Sequence, residues 1–122
     1  MEVYQERNYN ILENFDGNLM ILLKARTIAV PEDSYIEYDG GEHAILHRGK
    51  DFDGNNELTV ILDYVHPKMR ERLAKSDKVL VVETYSTGDR NGFGISNEFN
   101  CPVKHVEKVD LSPYNIEVPQ TN

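Results

Sequence analysis

The chain has 122 residues, of which 21 are acidic and 13 basic; its formal net charge is −8, and 39% of its residues are hydrophobic. These values are typical of one soluble globular domain, and they disfavour non-specific binding to nucleic acid because phosphates repel an acidic protein. No apolar run approaches the roughly 20 residues that cross a membrane, and a single cysteine cannot form an internal disulfide. We therefore expect a cytoplasmic protein without a signal peptide or membrane contact.

The strand patterns suggest where the domain begins and ends. Residues 1–17 are polar with scattered apolar side chains, so we expect an N-terminal arm or an edge segment. Residues 18–111 hold the predicted strands of one domain, and residues 112–122 are expected to form a C-terminal tail. Residues 18–30 predict a long strand, apolar on both faces at first and amphipathic later, as a strongly curved barrel requires.

The middle of the chain predicts a strand–helix–strand unit. Residues 57–65 and 78–86 are rich in β-branched residues and contain no Gly or Pro, which favours two strands. Between them, Pro67 suits the first turn of a helix, and strong helix formers follow up to Lys75. Met69 and Leu73 lie four residues apart, so they share the helix face that is expected to plug the domain.

Shorter strands flank this unit. Residues 35–38 and 43–47 predict a hairpin around Asp39-Gly40-Gly41. Residues 87–94 are expected to form a flexible glycine-rich hairpin loop with Phe93 at its tip. Two last strands are predicted at 95–100 and 103–111, separated by Pro102 because proline has no N–H for a ladder. The element order predicts a mainly β fold: a five- to six-stranded OB-like barrel with one short helix between the third and fourth strands.

A sequence resemblance agrees with this fold. Leu73-Ala-Lys-Ser-Asp-Lys-Val-Leu-Val-Val-Glu83 resembles the passage from helix to fourth strand in bacterial single-stranded DNA-binding proteins, and the loop over residues 87–100 is similar to their hairpin between strands four and five. The resemblance covers about half of the chain and implies an OB-fold that binds single-stranded nucleic acid. The chain departs from the family in having no Trp and no acidic tail ending in an aromatic residue. A tail-mediated role is therefore not implied.

Single-stranded nucleic acid binding requires aromatic rings that stack on bases beside cations that contact phosphates. The leading hypothesis is therefore a non-enzymatic, homo-oligomeric protein that binds single-stranded nucleic acid on the OB face of strands and loops. The candidate residues are Lys24, Arg26, Arg48, Lys50, Tyr64, Tyr85, Arg90 and Phe93.

The charge distribution supports an alternative. Residues 32–63 contain nine acids against two bases, whereas residues 64–90 contain six bases against four acids. An acidic surface binds a basic partner by charge complementarity, so the chain is alternatively a protein-interaction module or small inhibitor. The candidate residues for that role are Glu32, Asp33, Glu37, Asp39 and Glu42.

Other chemistry has weaker sequence signals. Residues 51–57 alternate oxygen ligands, but glycine stands at the fourth position instead of the sixth, so a turn is favoured over a calcium loop. His43 and His47 lie on the same side of a candidate strand and could contribute to a metal or acid–base site. The single cysteine and the lack of a compact His/Cys spacing favour exposed strand histidines instead. Cys101 is interpreted as a structural thiol. We predict no catalytic residues, metal or cofactor, and a small-ligand binder with the glycine-rich loop as a lid remains an alternative.

Overall fold

The computed structural model describes residues 8–88 and 92–114 of the chain. Its elements are β1 (Tyr9–Glu13), β2 (Leu19–Lys24), β3 (Tyr35–Tyr38), β4 (Ala44–Lys50), β5 (Glu57–Leu62), α1 (Pro67–Lys75), β6 (Lys78–Ser86) and β7 (Phe93–His105). The predicted mainly β fold with one helix is confirmed. The predicted strand number and helix position are wrong, because the described residues form seven strands and α1 follows the fifth.

The seven strands form one curled sheet in the order β1-β2-β6-β7-β3-β4-β5. The β2–β6 and β3–β7 pairs are parallel, and the other four pairs are antiparallel. The helix follows the fifth strand instead of the third because two more strands precede it than predicted. The segment before residue 18 contributes β1, and the predicted hairpin contributes both β3 and β4 as full members of the sheet.

The sheet curls into a half-barrel whose edge strands approach each other. Within the described residues, β1 and β5 are the two edge strands of the sheet, and no ladder of hydrogen bonds joins them. The predicted barrel is therefore open between β1 and β5. Side chains bridge the gap. The Tyr9 hydroxyl donates to Asp63 Oδ1 (2.7 Å) and accepts from the backbone N–H of Tyr64 (3.0 Å). The sequence predicts an arm or an edge segment before residue 18, and residues 9–13 form an edge strand.

The strand–helix–strand unit agrees closely with the sequence prediction. Helix α1 begins at Pro67, where His66 Nδ1 accepts from the Lys68 N–H (3.1 Å), and it is capped by Ser76. Leu73 is fully buried in the core, and Met69 packs against its edge. The core lies inside the curl and takes alternate residues from β2, β4, β6 and β7, as the two-residue period of a strand requires.

Several strand boundaries differ from the prediction, and the largest differences are in β2 and β7. Strand β2 ends at Lys24, and Val30 makes only an isolated bridge to Lys50. At the other end of the chain, β7 is a single strand that continues through Pro102. Proline is tolerated there because pairing with β3 begins one residue later, at Val103. The chain then leaves the sheet after His105, and Val109 and Leu111 pack on Ile45 as a small second cluster.

No helix within the described ranges is long and apolar enough to span a membrane.

Candidate functional site

Strands β3, β4 and β5 turn alternate side chains away from the main core, and we call this side of the sheet the outer face. Ile36 and Tyr38 point inward and are fully buried, so Tyr35 and Glu37 lie on the outer face. The antiparallel register places Tyr35 opposite His47, and His47 opposite Thr59. A row of three polar and aromatic side chains therefore crosses the three strands.

The centre of the outer face is a stacked pair of rings. The Tyr35 and His47 ring centroids lie 4.2 Å apart with an angle of 18° between their planes. Glu37 Oε1 lies 2.8 Å from His47 Nε2, which fixes the orientation of the imidazole ring. Lys104 Nζ lies 5.5 Å from the Tyr35 ring centroid, so this aromatic surface already attracts one cation.

A shallow cavity of about 250 Å³ lies beside the stacked rings. It is lined by Asp33, Tyr35, His47, Gly49, Lys50, Glu57, Leu58 and Thr59. Asp33 and Glu57 are exposed, and neither carboxylate has a hydrogen bond or ion pair to another described residue. The cavity thus combines an aromatic wall with two carboxylates that have no protein partner in this part of the chain.

The electrostatic environment of the outer face is negative. The pKa of Tyr35 is raised, first by burial and then by the negative charges of Glu37 and Glu57. The pKa of Tyr114 is raised for the same reasons. Burial is the larger cause for both tyrosines, and the carboxylates of Glu37 and Glu57 add to it.

A β-bulge at Gly49 shapes the cavity. The register between β4 and β5 shifts between His47 and Gly49. Gly49 has φ +110°, and a Cβ atom there would lie 2.2 Å from the carbonyl oxygen of Val30. Only glycine allows the loop around Val30 to approach so closely. The bulge leaves Lys50 opposite Glu57 at the rim of the cavity, while Arg48 turns inward.

Arg48 belongs to an inner polar cluster, which we define as Arg48, Glu83, Asn97 and the backbone of residues 27–29. Arg48 Nε donates to Glu83 Oε2 (2.7 Å), and its Nη2 donates to the carbonyl oxygen of Thr27. Glu83 Oε1 accepts from Asn97 Nδ2 (3.2 Å) and from the Ala29 N–H (3.3 Å). Glu83 is fully buried and Arg48 is 7% exposed. Arg48, a predicted nucleic-acid residue, therefore has its guanidinium engaged inside the curl and not on the surface.

The other predicted nucleic-acid residues lie in two places. Lys24 is exposed and pairs in register with Thr84, next to Tyr85, and exposed Arg26 follows it in the chain. Phe93 and Tyr85 are exposed at the end of the β6–β7 hairpin. Tyr64 follows β5, where its backbone N–H donates to the Tyr9 hydroxyl (3.0 Å) and the Arg70 guanidinium lies 5.6 Å from its ring centroid. Arg90 falls outside the described residues.

The predicted acidic residues are not equivalent either. Glu32 and Asp33 are exposed in the turn before β3, and Glu42 is exposed after the β3–β4 turn. Glu37 is held by His47. Asp39 has a structural task, because its Oδ1 accepts from the Gly41 N–H (2.9 Å) and its Oδ2 from the Val109 N–H (2.9 Å). Only part of this set is free for a partner.

Two other sequence interpretations concern single residues. Both carboxylate oxygens of Asp51 accept hydrogen bonds inside the 51–56 turn, from Asn55 N–H (3.1 Å) and from Asn56 Nδ2 (2.8 Å), so the turn interpretation fits. Cys101 is fully buried, and burial raises its pKa to about 11. It is therefore protonated at neutral pH and poorly suited to nucleophilic attack. No group of three metal-ligating side chains occurs among the residues that the structure describes.

Sequence reasoning missed the centre of the outer face. Tyr35 is not among the candidate residues, Glu57 enters only as the end of the possible calcium turn, and His47 only as part of a possible metal or acid–base site. The signal was present in the hairpin, since a period of two places Tyr35, Glu37 and His47 on one side once residues 35–38 and 43–47 pair. Searches of protein-family models, curated proteins and solved structures find no match for this chain.

Proposed function

We propose that this chain is a non-enzymatic protein-interaction module that binds a basic protein partner through the outer face. The observation that carries the proposal is the pair of exposed carboxylates, Asp33 and Glu57, which stand unpaired within the described residues beside the stacked rings of Tyr35 and His47. Aromatic rings supply contact area at low entropic cost, and carboxylates select a cation.

The overall charge supports the same conclusion. A net charge of −8 gives the chain a long-range attraction for basic proteins and increases the rate at which they associate. Glu32 and Glu42 add exposed negative charge on the turns that flank β3. By contrast, the inner polar cluster removes Arg48 from the surface and so weakens the case for a phosphate-binding face.

The test is capture of partners by the immobilised full chain, with the bound proteins identified by mass spectrometry. We expect proteins with a high pI, and we expect E32K/D33K to lose them. A matched control is D53K/E98K, which makes the same charge change at two exposed acids that do not line the cavity. A captured set without basic proteins, or equal loss with both double variants, would contradict the proposal.

A second candidate function is single-stranded nucleic acid binding, as the sequence resemblance implies. One observation favours it: the β2–β6 and β6–β7 registers bring Lys24, Thr84 and Ile95 into one row, with Phe93 next to them. Phe93 is 55% and Ile95 56% exposed, so an aromatic and an apolar side chain lie near a cation. Base stacking beside a phosphate contact needs this combination.

Size-exclusion chromatography with and without oligo-dT at low salt distinguishes the two candidates. Co-elution of nucleic acid, lost with F93A and with K24E, would favour the second function; no shift in the 260 nm profile would remove it. The same column reports whether the chain is the homo-oligomer that we expect. We propose a cytoplasmic location because a reducing compartment suits a chain whose single cysteine is a buried thiol.

A further inference from the structure

We infer that the cavity on the outer face is an arginine-binding site, which takes one guanidinium group from the partner protein. This inference rests on the proposed function and names the side chain that the site recognises. A volume of about 250 Å³ suits a single side chain, since pockets for drug-sized ligands begin at about 300 Å³. The lining comes from β3, β4, β5 and the turn before β3, and the cavity is open to solvent, so a side chain of another protein can reach it.

The lining favours a cation. Asp33 and Glu57 bring two negative charges, and Lys50 brings one positive charge. Outside the lining, Glu37 is hydrogen-bonded to His47 and Lys104 lies over the Tyr35 ring, so the cavity and its surroundings hold three carboxylates against two ammonium groups. A single entering cation therefore meets carboxylates that have no described partner, and it does not have to displace an existing ion pair.

The aromatic wall favours guanidinium over ammonium. Tyr35 and His47 both line the cavity, and their ring planes lie within 18° of each other, so a planar group can lie parallel to the pair. A planar guanidinium stacks on such a surface and still directs N–H donors at carboxylates in its own plane, whereas an ammonium group is a compact, strongly hydrated point charge. Thr59 lies in the same row as His47 and offers a hydroxyl oxygen as a further acceptor.

The charge of Lys50 distinguishes a cation-binding site from an anion-binding site. Its ammonium group lines the cavity without an ion pair to any described residue, and it repels an incoming cation. Removing this charge should therefore strengthen binding, whereas removing a carboxylate should weaken it. A site for an anion such as a phosphate requires the opposite response to both substitutions.

The experiment uses the full chain labelled with ¹⁵N and a peptide of four Gly-Ser-Arg repeats with blocked termini. Matched peptides replace arginine by lysine or by citrulline, which keeps the shape and removes the charge. We expect saturable shifts of the Tyr35, His47 and Thr59 amides with the arginine peptide, weaker binding of the lysine peptide and no binding of the citrulline peptide. Free arginine at equal concentration should shift the same amides less, because Asp33 and Glu57 repel its α-carboxylate.

Substitutions then locate the site. Since exposed charge pairs contribute modestly, we expect D33N and E57Q each to weaken binding by about 2- to 5-fold, and K50Q to strengthen it by about 2-fold. The control D53N/E98Q removes two negative charges, as many as D33N and E57Q together, and should leave the cavity shifts in place. Unchanged core amides show that each variant is folded.

The outcomes separate this inference from the proposed function. If the arginine peptide binds elsewhere, or K50Q weakens binding, the cavity assignment is overturned while an acidic interaction face stands. Equal binding of lysine and arginine peptides overturns guanidinium selectivity, and equal binding of free arginine overturns a protein source. If no basic peptide binds and the capture experiment also fails, both proposals fall.

Discussion

The inner polar cluster and the outer face contain similar groups, but they use them differently. Inside the curl, Arg48 and Glu83 are buried and every hydrogen-bonding side-chain atom that is buried in the described residues has a partner. On the outer face, Asp33 and Glu57 are exposed and lack partners among those residues. A buried charge without a partner costs free energy, so folding requires partners for the inner polar cluster. Folding does not require partners for the exposed carboxylates of the outer face.

The inner polar cluster and the outer face also connect different strands. The inner polar cluster connects β4, β6, β7 and the loop over residues 27–29, and so it ties together distant parts of the sheet. The outer face draws its side chains from the neighbouring strands β3, β4 and β5 and the turn before them. We therefore expect substitutions in the first set to change stability, and substitutions in the second to change binding.

The largest expected effect follows from breaking the inner ion pair. Arg48→Met leaves the fully buried Glu83 carboxylate without its guanidinium partner, which should lower the free energy of unfolding by about 3–5 kcal/mol. Removing both charges in R48M/E83L should cost less than R48M alone, because no unpaired charge remains. Urea unfolding of the three proteins checks this. A double variant less stable than R48M would contradict a purely electrostatic cost.

The next effect concerns the bulge that separates the two sets. Gly49→Ala places a Cβ atom 2.2 Å from the carbonyl oxygen of Val30 at φ +110°, so the loop must move. We expect a loss of about 1–3 kcal/mol in the free energy of unfolding. Gly54→Ala is the matched control: its φ is +73°, but nothing lies within 4 Å of the added atom. Equal losses in urea unfolding would show that steric contact at Gly49 does not matter.

A smaller effect on stability, with a larger effect on binding, is expected at the stacked rings. Tyr35→Ala removes the ring that stacks on His47, and such a pair contributes about 0.5–1.5 kcal/mol. Tyr35→Phe keeps the ring and should leave both stability and peptide binding nearly unchanged. Unfolding curves and arginine-peptide titrations of both variants check this. Full binding by Y35A would exclude the aromatic wall from the site.

Local sequence patterns predicted much of the fold. The bounds of α1 and β6 follow closely from Pro67, the helix formers after it and the β-branched run from residue 78. The sequence does not distinguish an edge strand from an arm at β1, because Asn10 and Glu13 interrupt its apolar residues. The parallel β2–β6 and β3–β7 pairs join segments far apart in the sequence, and a period of two carries no information about which strand is the neighbour.

The candidate site was harder to predict because it depends on one register shift. Arg48 and Lys50 look alike in the sequence, and both were assigned to a nucleic-acid surface. In the structure Ala44, Leu46 and Arg48 share the inner side, and the bulge at Gly49 leaves Lys50 at the rim of the cavity. A glycine inside a strand indicates a bulge, so Gly49 was the available warning.

The smallest expected effect is a pH dependence at the turn after β4. The pKa of Asp51 is lowered, first by the hydrogen bond from the Asn56 side chain and then by backbone N–H donors. A lowered pKa in the folded chain means that Asp51 stabilises the fold above its unfolded pKa of about 3.9, and that this contribution is lost as the pH falls through the folded value.

Asp51→Ala should therefore be less stable than the wild type at pH 7, and the difference should shrink on acidification. Asp53→Ala is the matched control, because it removes an exposed carboxylate in the same turn that accepts none of these hydrogen bonds. Thermal unfolding of the three proteins between pH 7 and pH 3 measures both differences. A constant gap between wild type and D51A across that range would mean that the turn does not depend on the ionised carboxylate, and that its oxygens are free to serve another ligand.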